Sequence, residues 1–424
     1  MEKKKINKSI VFSIVAVILL IAVVIGATYA YFSAQESTDI QTVTTGNLAM
    51  NFTNGDMVNG DKILPINDVD IKTKASSLDF SVTNTGSEHM NLTIKLTEIA
   101  MSDELKDIDF RWGLYNKDTN VGLSFGTFKG LNETEVILLR DTIIDAAEPD
   151  ITKNYTLRVW IHDDGAEQNY MKGKSFSARV TVSGETIEYT DESCFTMEGS
   201  NIREYSETCP SDVVIPKTIN GVKVTGIARY AEVDDNYEVI ESTDIFPSHV
   251  TSLIIPDTVT TIESIGNEDQ EQICNGCTIK HITIPESVES VASLFDLGLE
   301  TVFISENTSI SGDSWSDRGA FTGNKLTSIV ISTDANDNIF SGNPLESIVL
   351  MDGVKYIGKD AFAYAEKGEI EIPASVTSIG EYALNSSFQK LIIRGKTSLD
   401  EFKDKTAFDY IPEFYPDMII EFRP

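Results

Sequence analysis

The chain has 424 residues, with 34 Lys and Arg against 66 Asp and Glu, and a formal net charge of −32. Acidity on this scale argues against a nucleic-acid binder, because phosphate contacts need clustered Lys and Arg. Four Cys and four His argue against a Cys- or His-rich metalloprotein, while 41% apolar residues are enough for packed cores in two or three domains.

The N-terminus carries the parts of an export signal. Lys3, Lys4, Lys5 and Lys8 precede an apolar run from Ile10 to Gly26 that only Ser13 interrupts. Small residues follow, and Thr28 and Ala30 sit at the −3 and −1 positions of a cleavage between Ala30 and Tyr31. The alternative is a retained transmembrane helix over residues 10–32, since about 20 apolar residues span a bilayer. Either way the positive flank stays inside and the remaining chain lies outside. Residues 1–32 are thus a signal peptide or membrane anchor.

Residues 33–187 read as a mainly-β domain. Leu78, Phe80 and Val82 alternate with polar residues up to the turn Asn84-Thr85-Gly86. The same period recurs at Leu92, Ile94 and Leu96, at Phe110, Trp112 and Leu114, at Leu157, Val159 and Ile161, and at Phe176, Ala178 and Val180. Period-2 runs between turn signals predict an antiparallel, jelly-roll-like β-sandwich. Met101 to Asp109 reads as a short helix. His162-Asp163-Asp164 could supply metal ligands, but ending a strand before Gly165 they read as a solvated hairpin loop. His89, beside Glu88, reads as a surface residue.

The segment Gly26-Ala-Thr-Tyr-Ala-Tyr-Phe-Ser33 resembles the signal region of TasA/camelysin-type proteins, and Val159 to Phe176 resembles the last hairpin of their surface domains. That resemblance implies export through a dedicated signal peptidase, a β-sandwich and, in some members, extracellular fibres. A metalloprotease activity is not carried over, because the chain has no H-E-x-x-H motif.

A linker over residues 188–193 leads to a repeat array over 194–424. Leu253-Ile-Ile-Pro256, Ile282-Thr-Ile-Pro285 and Ile370-Glu-Ile-Pro373 are each followed by a second apolar group. Degenerate copies end at Ile304, Ile331, Leu350 and Ile393. The spacing of 19 to 29 residues is that of leucine-rich solenoids, in which each coil gives one short strand to a parallel sheet. Ala320-Phe321 and Ala361-Phe362 read as plugs on the opposite side. Ile372-Pro-Ala-Ser-Val-Thr-Ser-Ile-Gly380 resembles BspA-type leucine-rich repeats of bacterial surface proteins, which implies a non-catalytic adhesion or recognition module. Four stretches interrupt the period and read as loops: Asp234 to Pro247, Asn267 to Gly276, Ser311 to Gly319 and Asp334 to Asn343.

All four cysteines fall in the second half. Cys194 and Cys209 flank the first repeat and read as a disulfide that staples it. Cys274 and Cys277 read as a tight disulfide at an insertion tip, with half a zinc site near His281 as the rival. The acidic loops Asp234-Asp235-Asn236 and Asp334 to Asn338 could hold Ca²⁺ or be simply solvated. No other cofactor is expected, and no catalytic or metal residue is assigned.

The expectation is a bacterial cell-surface or secreted protein, not an enzyme, that presents its solenoid to a host, matrix or neighbouring-cell protein or glycan. The alternative is a matrix or fibre subunit that self-assembles through its first domain, with Tyr31 to Asn51 as the donor strand. The C-terminus shows no Leu-Pro-x-Thr-Gly sorting signal, so tethering is expected from residues 10–32, from assembly or not at all.

Overall fold

The computed structural model describes residues 40–423 apart from 46–47, 54–62, 64, 147–151, 164, 166–167, 231, 234–238, 242–244, 266–275, 293, 312–318, 366–367, 386–387, 410 and 412–414. The expected signal or anchor, with Ala30 and Tyr31, lies outside the described residues, as do Cys274 and the Asp234–Asn236 loop. No helix among the described residues is long and apolar enough to cross a membrane.

Among the described residues, ten strands build the first domain. They are β1 (Ile40–Thr45), β2 (Leu48–Thr53), β3 (Pro65–Ile66), β4 (Ser76–Asn84), β5 (His89–Met101), β6 (Phe110–Asn116), β7 (Gly122–Thr127), β8 (Val136–Ile144), β9 (Thr152–His162) and β10 (Phe176–Ile187). One sheet has the order β1-β2-β4-β9-β6-β7, with β3 added parallel to β9; the other is β10-β5-β8. The split is seven strands against three, not the even halves of a jelly roll. The predicted alternation is present: Leu78, Phe80, Leu92, Ile94, Trp112, Leu114, Leu157, Val159 and Val180 are all buried between the sheets. The helix expected over Met101 to Asp109 is only a single 3-10 turn at Asp103–Leu105, because β5 runs on to Met101.

Two strands depart from simple alternation. Every residue of β6 from Phe110 to Tyr115 is buried, and so is every residue of β9 from Tyr155 to His162. Arg111 pairs with Trp160 and Gly113 with Arg158 on the outer side, while Phe110 pairs with Ile161 and Trp112 with Val159 on the inner side. A strand buried on both faces must have a second layer over its outer side. The repeat domain is that layer.

The repeats form a solenoid with two parallel ladders rather than one. The first joins strands 212–214 and 252–254, then 281–284 and 301–304, then 328–331, 347–350, 369–372, 390–394 and 419–423. The second contains strands 226–230, 261–265, 290–291 and 309–310, and later 356–357 and 378–379. Ile262, Val291 and Ile379, the second apolar group of their coils, point inward from it and are fully buried. The third side is a column of turns. There Phe321, Phe340 and Phe362 stack nearly parallel, with centroids 5.5 and 6.0 Å apart. Asn324 and Asn343 are buried beside them, and each amide donates to turn carbonyls, including that of Phe321. Glycine is required where coils touch: a Cβ on Gly358 would lie 2.4 Å from the Asp337 nitrogen, and one on Gly380 2.7 Å from that of Lys359.

The stretch Asp334 to Asn343 is part of this stack, not an inserted loop. Ala335, Ile339, Phe340 and Asn343 are buried, and Ala335 bridges to Ile357 of the next coil. The repeat period is obscured there because this coil's second apolar group is the single alanine, Ala335.

The first coil is a hairpin, 195–198 with 201–205, that packs on strand 226–230. Cys194 and Cys209 are joined by a disulfide across its base, with Cα atoms 5.9 Å apart. Closing a loop of 15 residues should stabilise by about 3 kcal/mol in the chain-entropy view. Replacing both cysteines with Ala is therefore expected to lower the melting temperature by roughly 6–12 °C. Thermal melts of both proteins with and without reductant check this, and reductant should shift the parent alone.

Candidate functional site

The outward side of the first ladder carries Val214, Ile254, Thr283, Phe303, Val330, Val349, Glu371 and Ile392. Most are apolar, and the sandwich covers them. Ile143 of β8 packs with Val214 and Ile254. Thr283 Oγ1 donates to the Arg140 carbonyl at 2.7 Å, and Phe303 reaches the sandwich core. Val330 and Met351 meet Ile71, Tyr115 and Trp160. The linker belongs to the same contact: Thr190 exchanges hydrogen bonds with Val214, and Tyr189 donates to Asp145 at 2.8 Å.

At one end of this interface lies a buried ionic cluster. Asp68, in the turn before Ile71, has a fully buried side chain. It accepts from Arg111 Nη1 at 2.7 Å, Trp160 Nε1 at 2.9 Å and the Asp352 amide at 3.2 Å. Its own amide donates to Asp352 Oδ2 at 3.1 Å. His162 stands between the domains, with Nδ1 3.2 Å from Asp68 Oδ1 and Nε2 3.1 Å from Glu371 Oε1. Arg394 donates to the Asp163 carbonyl, and its Nη1 lies 2.8 Å from His162 Nε2 and 3.5 Å from Glu371 Oε1.

Asp68, Asp352 and Glu371 face Arg111, Arg394 and the His162 imidazolium, and Asp109 lies 3.7 Å from Arg111. Burial and Arg111 oppose a charge on His162, but Asp68 and Glu371, one at each ring nitrogen, outweigh them and lift its pKa to about 9. The short Arg394 contact would suit a neutral ring accepting at Nε2. We assign the imidazolium, because both nitrogens face carboxylate oxygens and Glu371 is shared by the ring and the guanidinium. For Asp68, burial works against ionisation but Arg111 and His162 prevail, and its pKa is well below the usual carboxylate range. Asp109 has weaker partners, so burial dominates and pushes it up to about 6.

This is a correction for His162, which was expected in a solvated loop. Its position at a strand end suggested exposure, but the strand end is sealed by the repeat domain. Asp163 contributes its carbonyl to Arg394, and Asp164 lies outside the described residues. Two groups, Asp68–His162–Asp352 and Asp109–His162–Glu371, bring three potential metal-ligand atoms together. Their chemistry suits ion pairing better, since guanidiniums already neutralise the carboxylates and a metal-ligating His must be neutral.

The other candidate residues are accounted for by structure. His89 Nδ1 lies 2.9 Å from Asp145 and its ring tilts against Tyr189, so it is half-buried near the linker rather than free on the surface. In the acidic stretch from Asp334 to Asn338, Asp334 accepts from the amides of Lys355 and Tyr356, and Asp337 from that of Lys359. These oxygens cap the next coil while both side chains stay exposed, as a solvated loop would have them. Cys277 is disulfide-bonded, and His281 Nδ1 contacts Thr301 Oγ1 at 2.6 Å.

Residues 270–391 match the BspA type leucine rich repeat region, in six copies. No curated protein matches the chain. The BspA-type repeats span the coils whose outward ladder meets β7 of the sandwich, together with Glu371 of the ionic cluster.

Proposed function

We propose that the chain is a non-catalytic recognition protein displayed on, or released from, the outer surface of a bacterium. The BspA-type repeats carry this reading, since such repeats are typical of surface proteins that bind other proteins. The Lys-flanked apolar run before Phe32 supports delivery to the outside. Because the sandwich covers the outward face of the first ladder, the partner is met by the sides of the prism left open.

The column of turns is the best of these. Gly323, Gly342 and Tyr364 occupy equivalent places, each donating its amide to the next coil, with φ of 71°, 73° and 66°. Left-handed backbone costs a non-glycine residue about 1–2 kcal/mol. Tyr364 bears that cost while 74% exposed, so its ring is displayed rather than packed. Tyr364→Gly should therefore keep or slightly raise stability while weakening partner binding at least about threefold. Binding of the purified chain to arrayed host and matrix proteins, followed by melts of the variant, tests this. A full panel with no saturable binding would remove the reading.

A second reading has one observation in its favour. Among the described residues β1 pairs with β2 alone and stands at one end of the seven-stranded sheet. An open edge is the template that β-augmentation uses, as fibre assembly by a TasA-like domain would require. Concentration-dependent growth of filaments would favour it; a monodisperse chain across pH and concentration would count against it.

A further inference from the structure

A cleft of about 300 Å³ opens between the sandwich and the solenoid and shares no residue with the His162 cluster. One wall comes from β6, β8 and β9, the other from the coils at residues 255–257 and 283–287. Its charged groups are Lys153 and Lys217 against Asp118, Asp141, Asp257 and Glu286. Many are fixed by one another across the domain boundary. Lys153 and Lys217 hold Asp257 at 3.2 and 2.8 Å, and Asn116 donates to Glu286 at 2.7 Å. The cleft is thus preorganised by the same contact that closes the interface. One hydroxyl on its wall, Ser287 Oγ, is shielded from solvent and has no hydrogen-bond partner.

The chemistry of the walls selects a ligand class. Four carboxylates against two ammonium groups leave the cleft negative, which disfavours phosphates, sulfates and acidic sugars. Leu139, Ile255, Pro256 and Pro285 give apolar ground between the polar groups. A ligand that donates and accepts at every edge, yet shows C–H faces and no charge, satisfies both features. We propose that this cleft binds a neutral saccharide of one or two rings. The volume stands at the small end of ligand sites, which suits that size and excludes long polymer runs. The site is separate from the turn column at Tyr364, so it goes beyond the partner-protein reading and can fail without it.

The test is titration calorimetry on the full chain with glucose, galactose, N-acetylglucosamine and lactose, and with glucuronate as the charged control. At least one neutral sugar should bind with a dissociation constant near or below about 1 mM, and glucuronate at least roughly tenfold more weakly. Ser287→Trp fills the cleft and should abolish binding. Glu286→Gln keeps an acceptor for Asn116 and should weaken binding about three- to tenfold with an unchanged melt. The proposal is overturned if no neutral sugar binds up to about 20 mM. It is equally overturned if glucuronate binds best, or if both variants fold and retain the parent affinity.

Discussion

Phe340→Ala is expected to destabilise the repeat domain by about 3–5 kcal/mol. Phe340 is the middle ring of the three-ring stack, and its two neighbours are fully buried as well. The coils are held by contacts with the coils on either side, so a cavity here cannot be closed by one neighbour moving in. The Phe340 carbonyl also accepts from the buried Asn343 amide, and that amide holds Phe321 too. The substitution keeps that carbonyl, so the cost is that of the apolar cavity. Urea unfolding checks this through a lower midpoint. A midpoint within error of the parent would show that the stack contributes little.

Arg394→Ala is expected to cost about 3 kcal/mol and to uncouple the two domains. The side chain is only 11% exposed and is the solenoid's own cation in the ionic cluster. Without it, the partly buried Glu371 and Asp352 face one cation fewer. Removing one partner of such a group is costlier than the pair's net worth, because the remaining charge stays desolvated. The parent should unfold in one transition and the variant in two, with new protease cuts in residues 188–193. A single transition at the parent temperature would show that the cluster does not join the domains.

The same cluster gives a pH dependence with a definite sign. The His162 pKa is raised, so its contribution is fully present below pH 6.5 and is lost as pH rises through about 9. The loss is up to about 3 kcal/mol across that window. Asp109 acts in the same direction at lower pH: burial keeps it protonated to about 6, so stability falls as pH climbs from about 4 to 6. Asp68 and Glu371 act oppositely. Although burial opposes it, their cationic partners lower both pKa values, and their contribution disappears as pH falls below the usual carboxylate range. Denaturation of the parent and of His162→Gln at pH 7 and pH 9.5 separates these effects, and the variant should show the flatter response.

Much of the fold was legible because it is local. The repeat Ile-Pro-x-Ser-Val-Thr-Ser-Ile-Gly fixes strand, turn and second ladder within one coil, and only glycine fits at Gly358 and Gly380. The sandwich strands were legible from the two-residue period of their inner faces. The contact between domains was missed, although two signals stood in the chain. Ile329-Val-Ile331, Ile348-Val-Leu350 and Leu391-Ile-Ile393 are apolar at every position, where a sheet with one wet face would alternate. Trp160 also sits on what should be the polar side of its strand. The ionic cluster left no such mark. Asp68, Arg111, His162, Asp352, Glu371 and Arg394 are scattered over more than 300 residues, and only the packing of the two domains brings them together.

The central claim is that the sandwich lies across the outward face of the repeat sheet. Zero-length carbodiimide cross-linking of the full chain, read by peptide mapping of the monomer band, tests it most directly. Lys72 and Glu306 are 2.5 Å apart and Lys153 and Asp257 3.2 Å apart, each pair joining one domain to the other. Both amide cross-links should appear within a single chain. Monomer free of either cross-link, with the same pairs absent at every reagent concentration, would contradict the account.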